Sequence, residues 1–204
     1  MIAVRGHFPR FTPEEYFAWE ELQLERHEYI DGEVYAMSGG TIIHSQISSN
    51  FNRLLGSHLR GSGCKTLNSD ARINILASSH YVYPDVSVTC DERDKTTAQY
   101  ITYPCLVIEV LSPSTEAYDR GNKFKLYRRN PCLQEYVLVS AETMAIELFR
   151  KTDSESWQII DYEPGDVVEL TSIKLRFPIT KGASEAIEQV YEDIVFAPEN
   201  VADS

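Results

Sequence analysis

The period of the apolar positions changes along the chain, and each change marks an element. Thr12-Pro13-Glu14-Glu15 is a helix start, with Thr12 as N-cap, Pro13 as first residue and Glu15 closing a capping box. That helix should run to about Leu24. Arg26 to Asp31 and Glu33 to Met37 read as two strands joined at Asp31-Gly32, a hairpin signal. After Ser38-Gly39-Gly40, Ile43, Ile47, Phe51, Leu54, Leu55 and Leu59 fall on one stripe and predict a helix from about Thr41 to Arg60. Gly61-Ser62-Gly63 ends it. Lys65 to Leu67 and Ala71 to Leu76 read as strands, Ser78-Ser79-His80 as a turn, and Tyr81 to Cys90 as a strand interrupted at Pro84. Leu106 to Leu111 is apolar on both faces, the pattern of a central strand covered on both sides. A helix follows Ser112-Pro113-Ser114-Thr115 and stops at Asn130-Pro131. Glu135 to Ser140, Met144 to Lys151 and Trp157 to Tyr162 are strands, and Pro164-Gly165-Asp166 is a turn. Val167 to Leu170 and Ile173 to Phe177 should finish the sheet. Ser184 to Ile194 reads as a closing helix, and the tail from Ala197 as disordered. Strands and helices mix without a regular βαβ alternation, so the class is α+β (mixed α/β) with a mixed sheet.

Two acids interrupt this pattern. Strand parity puts Glu109 on the same face as Val107 and Leu111, inside an apolar strand. An ionised carboxylate is rarely buried unless it is paired or binds a metal. Asp85 follows Pro84, which removes a ladder donor, so Asp85 should sit where two strands diverge. The plainer alternatives are an acid neutralised by a neighbouring cation and an Asp that caps a turn. In the following helix, a rotation of about 100° per residue groups Lys123 with Phe124, Leu126 and Tyr127 on the inward face. Arg120 also falls inward, Asp119 lies one turn before Lys123, and Lys125 points outward with Arg129. A packed lysine stem with its amine reaching solvent would give the same pattern. Glu28 lies on the first hairpin strand, where a solvent-facing acid is equally natural. His44 lies in the first turn of its helix, where an anion such as phosphate is favoured, although a capping or surface histidine is the plainer reading.

In this order, Pro84-Asp85, Ile108-Glu109-Val110-Leu111-Ser112-Pro113-Ser114-Thr115, Asp119-Arg120-Gly121-Asn122-Lys123 and Glu135-Tyr136-Val137-Leu138-Val139 resemble the Uma-two family. This is a family of restriction-endonuclease-like proteins in the PD-(D/E)XK nuclease superfamily. The resemblance reaches back to Arg26-His27-Glu28-Tyr29-Ile30-Asp31-Gly32-Glu33. It implies a restriction-endonuclease-like core carrying the N-terminal helix and hairpin. It also implies Asp85 and Glu109 as metal-binding acids, the Val110 carbonyl as a further ligand, Lys123 as the active-site lysine and Glu28 as an additional acid. The superfamily's usual lysine lies two residues after the glutamate, where this chain has Leu111, so the helix lysine must substitute. The implied cofactor is Mg²⁺ or Mn²⁺ and the implied reaction is hydrolysis of phosphodiester bonds in DNA. Asp119 would then hold the Lys123 amine and Arg120 would bind a flanking phosphate. Asp91 to Thr102, a polar loop, would cover the site.

Charge qualifies this picture. Nineteen Lys plus Arg stand against thirty-one Asp plus Glu, a net charge of −12. Duplex-binding proteins gain affinity by neutralising phosphates, so weak or structure-selective DNA binding is expected, with a homodimer as one way to build a groove. Two other readings stay open. One is a non-catalytic interaction or regulatory module, marked by the broken Glu-x-Lys spacing. The other is a metal-dependent phosphoesterase for a small substrate, which would suit an acidic surface. A chain of 204 residues, 43% hydrophobic, suits one domain over residues 1–196. It has no signal-like start and no apolar run able to span a bilayer, so a cytoplasmic protein with no membrane partner is expected. The four cysteines, Cys64, Cys90, Cys105 and Cys132, show no metal-ligand spacing. A disulfide framework is not expected beside a core of this size, and the last three should pack as small hydrophobes.

Overall fold

The computed structural model describes residues 3–5, 10–37, 39–75, 80–97, 99–179 and 190–196. Its strands are β1 (Ala3–Arg5), β2 (His27–Ile30), β3 (Glu33–Met37), β4 (Lys65–Asn68), β5 (Arg72–Ile75), β6 (His80–Val82), β7 (Val86–Thr89), β8 (Tyr100–Ile101) and β9 (Pro104–Leu111). They continue with β10 (Glu135–Ser140), β11 (Ile146–Lys151), β12 (Trp157–Tyr162), β13 (Val167–Leu170) and β14 (Leu175–Pro178). The helices are α1 (Pro13–Glu20), α2 (Ile42–His58) and a last one in three pieces: α3 (Glu116–Tyr118), a π turn (Asp119–Lys123) and α4 (Phe124–Tyr127). The α+β class expected from sequence is observed.

The expected single sheet is instead two. One runs β1-β3-β2-β6-β5-β8, the other β12-β11-β10-β9-β7-β4. β13 and β14 form a separate hairpin rather than finishing a sheet. Tyr83-Pro84-Asp85 is one crossing between the sheets. Pro84 has no N–H for a ladder, so pairing stops there and resumes with a new partner. His80, expected in a turn, opens β6, and its Nε2 lies 2.8 Å from Asp31 Oδ1.

Local chemistry explains most boundaries. Thr12 and Glu15 form the capping box of α1, with Glu15 N donating to Thr12 Oγ1 at 3.3 Å and Thr12 N donating to Glu15 Oε2 at 2.7 Å. The helix stops at Glu20 instead of Leu24, because the Glu20 carboxylate turns inward to accept the His27 amide at 2.9 Å. Asp31 and Gly32, with φ of 52° and 85°, make the left-handed turn that a tight hairpin requires. Ile47, Phe51, Leu54 and Leu55 of α2 bury themselves against Val86, Val88, Leu106 and Ile108. On the other face of β9, Val107 and Leu111 pack with Phe124, Leu126 and Tyr127 of α4. The second sheet is therefore covered on both sides, and Glu109 projects toward α4 from its middle strand.

Loop 91–102 does not lie over the acids. Asp94 pins it beside the far end of β7, accepting from the Thr89 hydroxyl at 2.7 Å and from the Thr102 and Tyr103 amides at 2.8 and 3.0 Å. Residues 184–189 of the predicted closing helix and the tail from Ala197 lie outside the described residues, and 190–193 form a turn.

The cysteine expectation is overturned: Cys64 and Cys90 form a disulfide. Lys65 pairs with Thr89 across β4 and β7, so these cysteines are the next cross-strand pair, with Cα atoms 4.1 Å apart. Register places them together, and register was not legible in their spacing. Such a bond persists in an oxidising compartment and is uncommon in the cytoplasm expected from sequence. Cys105 and Cys132 are free and half-buried. The bond closes a sequence separation of 26 residues. Breaking it with reductant should lower unfolding stability by about 2–4 kcal/mol. Urea melts with and without dithiothreitol read this directly, and coincident melts would refute it.

Candidate active site

Glu28 comes from β2, Asp85 from the Tyr83-Pro84-Asp85 crossing, Glu109 from β9, and Asp119 and Lys123 from the π turn. All five are buried; Glu28, the most accessible, is 4% exposed. Val86 pairs with Ile108, so Asp85 and Glu109 stand side by side where the β7–β9 ladder ends. Lys123 Nζ is the hub. It lies 2.8 Å from Glu109 Oε1, 3.6 Å from Glu28 Oε1 and 3.9 Å from Asp119 Oδ1, and donates to the Tyr83 carbonyl at 3.2 Å. Glu28 Oε1 also accepts the Tyr83 amide at 3.2 Å. Asp85 Oδ2 accepts the Val110 amide at 2.8 Å and lies 3.0 Å from His44 Nε2.

Burial and neighbouring charge sort the protons. Desolvation pushes the Glu109 carboxyl up to about 8; Lys123 opposes this, while Asp85 and Asp119 reinforce it. Burial also raises Asp119, against the pull of Lys123. Burial alone would raise Asp85 too, but His44, Lys123 and the Val110 amide outweigh it and hold this carboxyl below its ordinary value. Burial disfavours the Lys123 ammonium, yet Glu109 and Glu28 hold it well above the usual lysine range. The resting site thus combines an ionised Asp85, a protonated Lys123 and a Glu109 poised between forms.

The structure gathers Asp85, Glu109, Lys123, Glu28 and Asp119, and puts His44 against Asp85. Lys125 faces away from this cluster, as its helical position predicts. Arg120 departs from expectation: the π turn widens the helix, and the guanidinium is half-exposed, paired with Glu116 at 2.8 Å and with Glu147. It is committed to these acids rather than turned to the cluster. Sequence reasoning missed Tyr127, whose hydroxyl donates to Glu109 Oε1 at 3.1 Å, and Tyr136, whose hydroxyl donates to the Asp119 carbonyl at 3.0 Å. Tyr127 is four residues after Lys123 on one stripe, a usable signal. The backbone role of Tyr83 left none.

A cleft of about 670 Å³ opens beside Asp85, walled by Met37, His44, Ser48, Asn52 and Asn68. Gly40 makes room for the histidine in this wall. A Cβ there would stand 2.7 Å from His44 Nδ1. Gly40→Ala should therefore displace the ring and cost about 1–3 kcal/mol, measured as a lowered unfolding midpoint; an unchanged midpoint would contradict this packing.

A model of the Uma2 family, described as "Putative restriction endonuclease", matches residues 13–180. The chain belongs to the Uma2 family. Among its relatives, the Synechocystis "Uncharacterized protein slr1290" is 51% identical over 189 residues, covering 93% of this chain and 95% of the relative. A second Synechocystis relative, "Uncharacterized protein sll1609", is 34% identical over 152 residues, covering 74% and 86%. A solved structure titled as a "putative nuclease belonging to DUF820" from Anabaena variabilis aligns with a TM-score of 0.66 at 19% identity, over 83% of this chain and 95% of that one. That likeness shows a shared fold, the restriction-endonuclease-like fold. Uma2 membership supports a nuclease-like function. Among the described residues, no helix is long and apolar enough to cross a membrane.

The donor set bears on a metal. Among the described residues, no three His, Cys, Asp or Glu side chains form a cage. Asp85 and Glu109 do supply hard oxygen ligands side by side. Magnesium is commonly held by one or two carboxylates while keeping several waters and taking substrate phosphate oxygens. The residues present fit that mode of binding.

Proposed function

We propose that this Uma2 protein is a Mg²⁺- or Mn²⁺-dependent endonuclease that hydrolyses phosphodiester bonds in DNA. The observation that carries this reading is Lys123 Nζ seated 2.8 Å from Glu109, on the helix that faces the Asp85–Glu109 pair. In this reading a lysine from the helix does the work usually done by one on the glutamate strand, where this chain has Leu111.

Asp85, Glu109 and the Val110 carbonyl would hold the ion, which when bound polarises the scissile phosphate and lowers the pKa of a water. Glu109 would bind as its carboxylate, its proton passing to solvent. Lys123, kept protonated by Glu109 and Glu28, orients the attacking water and offsets the charge that builds on the phosphoryl oxygens. Glu28, fixed by the Tyr83 amide, steadies the ammonium and can accept from a second water. His44 holds Asp85 in place. The scissile strand lies in the cleft beside Asp85, whose Ser and Asn walls bind phosphate without net charge.

The test incubates supercoiled plasmid and single-stranded DNA with the protein at low salt, in Mn²⁺, Mg²⁺ or EDTA. Glu109→Gln and Lys123→Met run alongside, with the exposed Arg60→Glu as control. Cleavage that needs metal, fails in the first two variants and survives in the third supports the reading. Cleavage that persists in Glu109→Gln is contamination and removes its basis. One observation favours a non-catalytic module instead: Lys123 Nζ already sits 2.8 Å from Glu109 Oε1 and 3.6 Å from Glu28 Oε1, as in a structural ion-pair cluster. Absence of divalent-metal binding by calorimetry would turn the choice that way.

A further inference from the structure

A second cavity, of about 460 Å³, opens on the other side of the catalytic helix. This is within the size range of small-molecule sites, roughly 300–1,000 Å³. One wall is the β2–β3 hairpin, through Ile30 and Tyr35. The other is the α3–α4 helix, through Tyr118, Leu126, Lys125 and Arg129. These are the two elements that supply Glu28 and Lys123. Tyr35 is the direct cross-strand partner of Glu28, so the cavity adjoins the acid itself.

Its chemistry is amphipathic. Two tyrosines and two aliphatic side chains line it with Ser114, Asn122 and two cations, Lys125 and Arg129. Many cations among the described residues are already paired. Arg26 holds Asp70, Arg53 holds Glu192, Arg93 holds Asp91, Lys95 holds Glu92, Arg150 holds Glu135 and Lys151 holds Glu155. Lys125 and Arg129 have no ion pair among the described residues. The Tyr118 hydroxyl is buried with no hydrogen-bond partner there. Burial raises the pKa of this phenol, as do the charges of Glu28, Glu109 and Asp119, against the opposing pull of Lys123.

A flat apolar ring joined to an anion fits such a site. We propose that this cavity is a nucleotide subsite: it takes the base of an unpaired nucleotide of the substrate strand, with the adjoining phosphate on Lys125 and Arg129. The inference rests on the nuclease reading and sets its substrate class as single-stranded or locally unpaired DNA. A base must leave a duplex stack to enter such a pocket, and unpaired DNA avoids that cost. Aromatic walls reward any base, because every base has a π-face. The same arrangement fits the net charge of −12. Recognition through one stacked base and its phosphate needs little of the extended phosphate neutralisation on which duplex binding depends.

The experiment measures anisotropy of a short labelled oligonucleotide, single-stranded or annealed to its complement, in EDTA. The proteins are wild type, Lys125→Glu with Arg129→Glu, Ile30→Trp to fill the cavity, and Arg60→Glu as control. Unfolding midpoints verify each fold; the charge reversals are at the surface and keep the test valid if the Trp variant misfolds. Single strand should bind about 10-fold or more tighter than duplex, and the cavity variants should lose about 10-fold of that affinity. Arg60→Glu should bind as wild type. Equal binding by wild type and charge-reversed protein, or preference for duplex, overturns the subsite. Metal-dependent cleavage with an unchanged KM in the charge-reversed protein would remove the subsite and leave the nuclease reading standing. A wild type that neither binds nor cleaves DNA removes both.

Discussion

Lys123→Met should unfold at markedly lower denaturant than wild type, with a loss of about 3–5 kcal/mol. The side chain is 2% exposed and faces Glu109 at 2.8 Å, Glu28 at 3.6 Å and Asp119 at 3.9 Å. Methionine keeps the apolar stem but leaves three buried carboxyls with no cation. Breaking a buried ion pair from one side costs much more than the pair contributes when intact, because the survivor stays desolvated. The Tyr83 carbonyl also loses its donor. Guanidinium unfolding followed by circular dichroism gives the number, and a loss below about 1 kcal/mol, the scale of an exposed pair, would mean that the amine reaches solvent. Any DNA cleavage should disappear in the same variant. Stability and cleavage therefore fall together here, and this variant alone does not separate them.

Glu109→Gln separates them. Cleavage should fall by at least about 100-fold, the scale of losing a group aimed at transition-state charge, while the fold survives or gains. Burial and neighbouring acids hold this carboxyl near a pKa of about 8 in the folded chain, against an ordinary value of 4.5. The folded state therefore keeps a proton that the unfolded state has released. Its stabilising share is complete below the unfolded value and is lost as pH rises through the folded one, at about 1.4 kcal/mol per pH unit between them. Glutamine mimics the protonated acid and does not titrate. The stability difference between Glu109→Gln and wild type should thus widen in the variant's favour from pH 5 to pH 8. Parallel curves in metal-free buffer would show that Glu109 is ionised throughout.

What the sequence disclosed about this site followed from period. Parity put Glu109 alone among apolar neighbours, and β9 presents it to α4 in that way. Helical phase separated Lys123 from Lys125, and the structure separates them too. Pro84 marked a break, and the chain changes sheets there. The misreadings share a different cause. Arg120 was placed by a regular helix, but a π turn shifts its angle. The Cys64–Cys90 bond depends on which strand β4 pairs with and in what register, and neither is a local property. The β13–β14 hairpin has good strand patterning, which says nothing about which sheet accepts it. Tyr83 acts through its peptide groups, which every residue carries, so no residue type announces the role.

The centre is divided along the chain. Glu28 and Asp85 are synthesised early, whereas Glu109 and Lys123 lie beyond them. A nascent chain that has left the ribosome only through residue 90 carries two acids with neither their lysine nor the second strand acid. The complete cluster exists only in a chain extended past the π turn that carries Asp119 and Lys123.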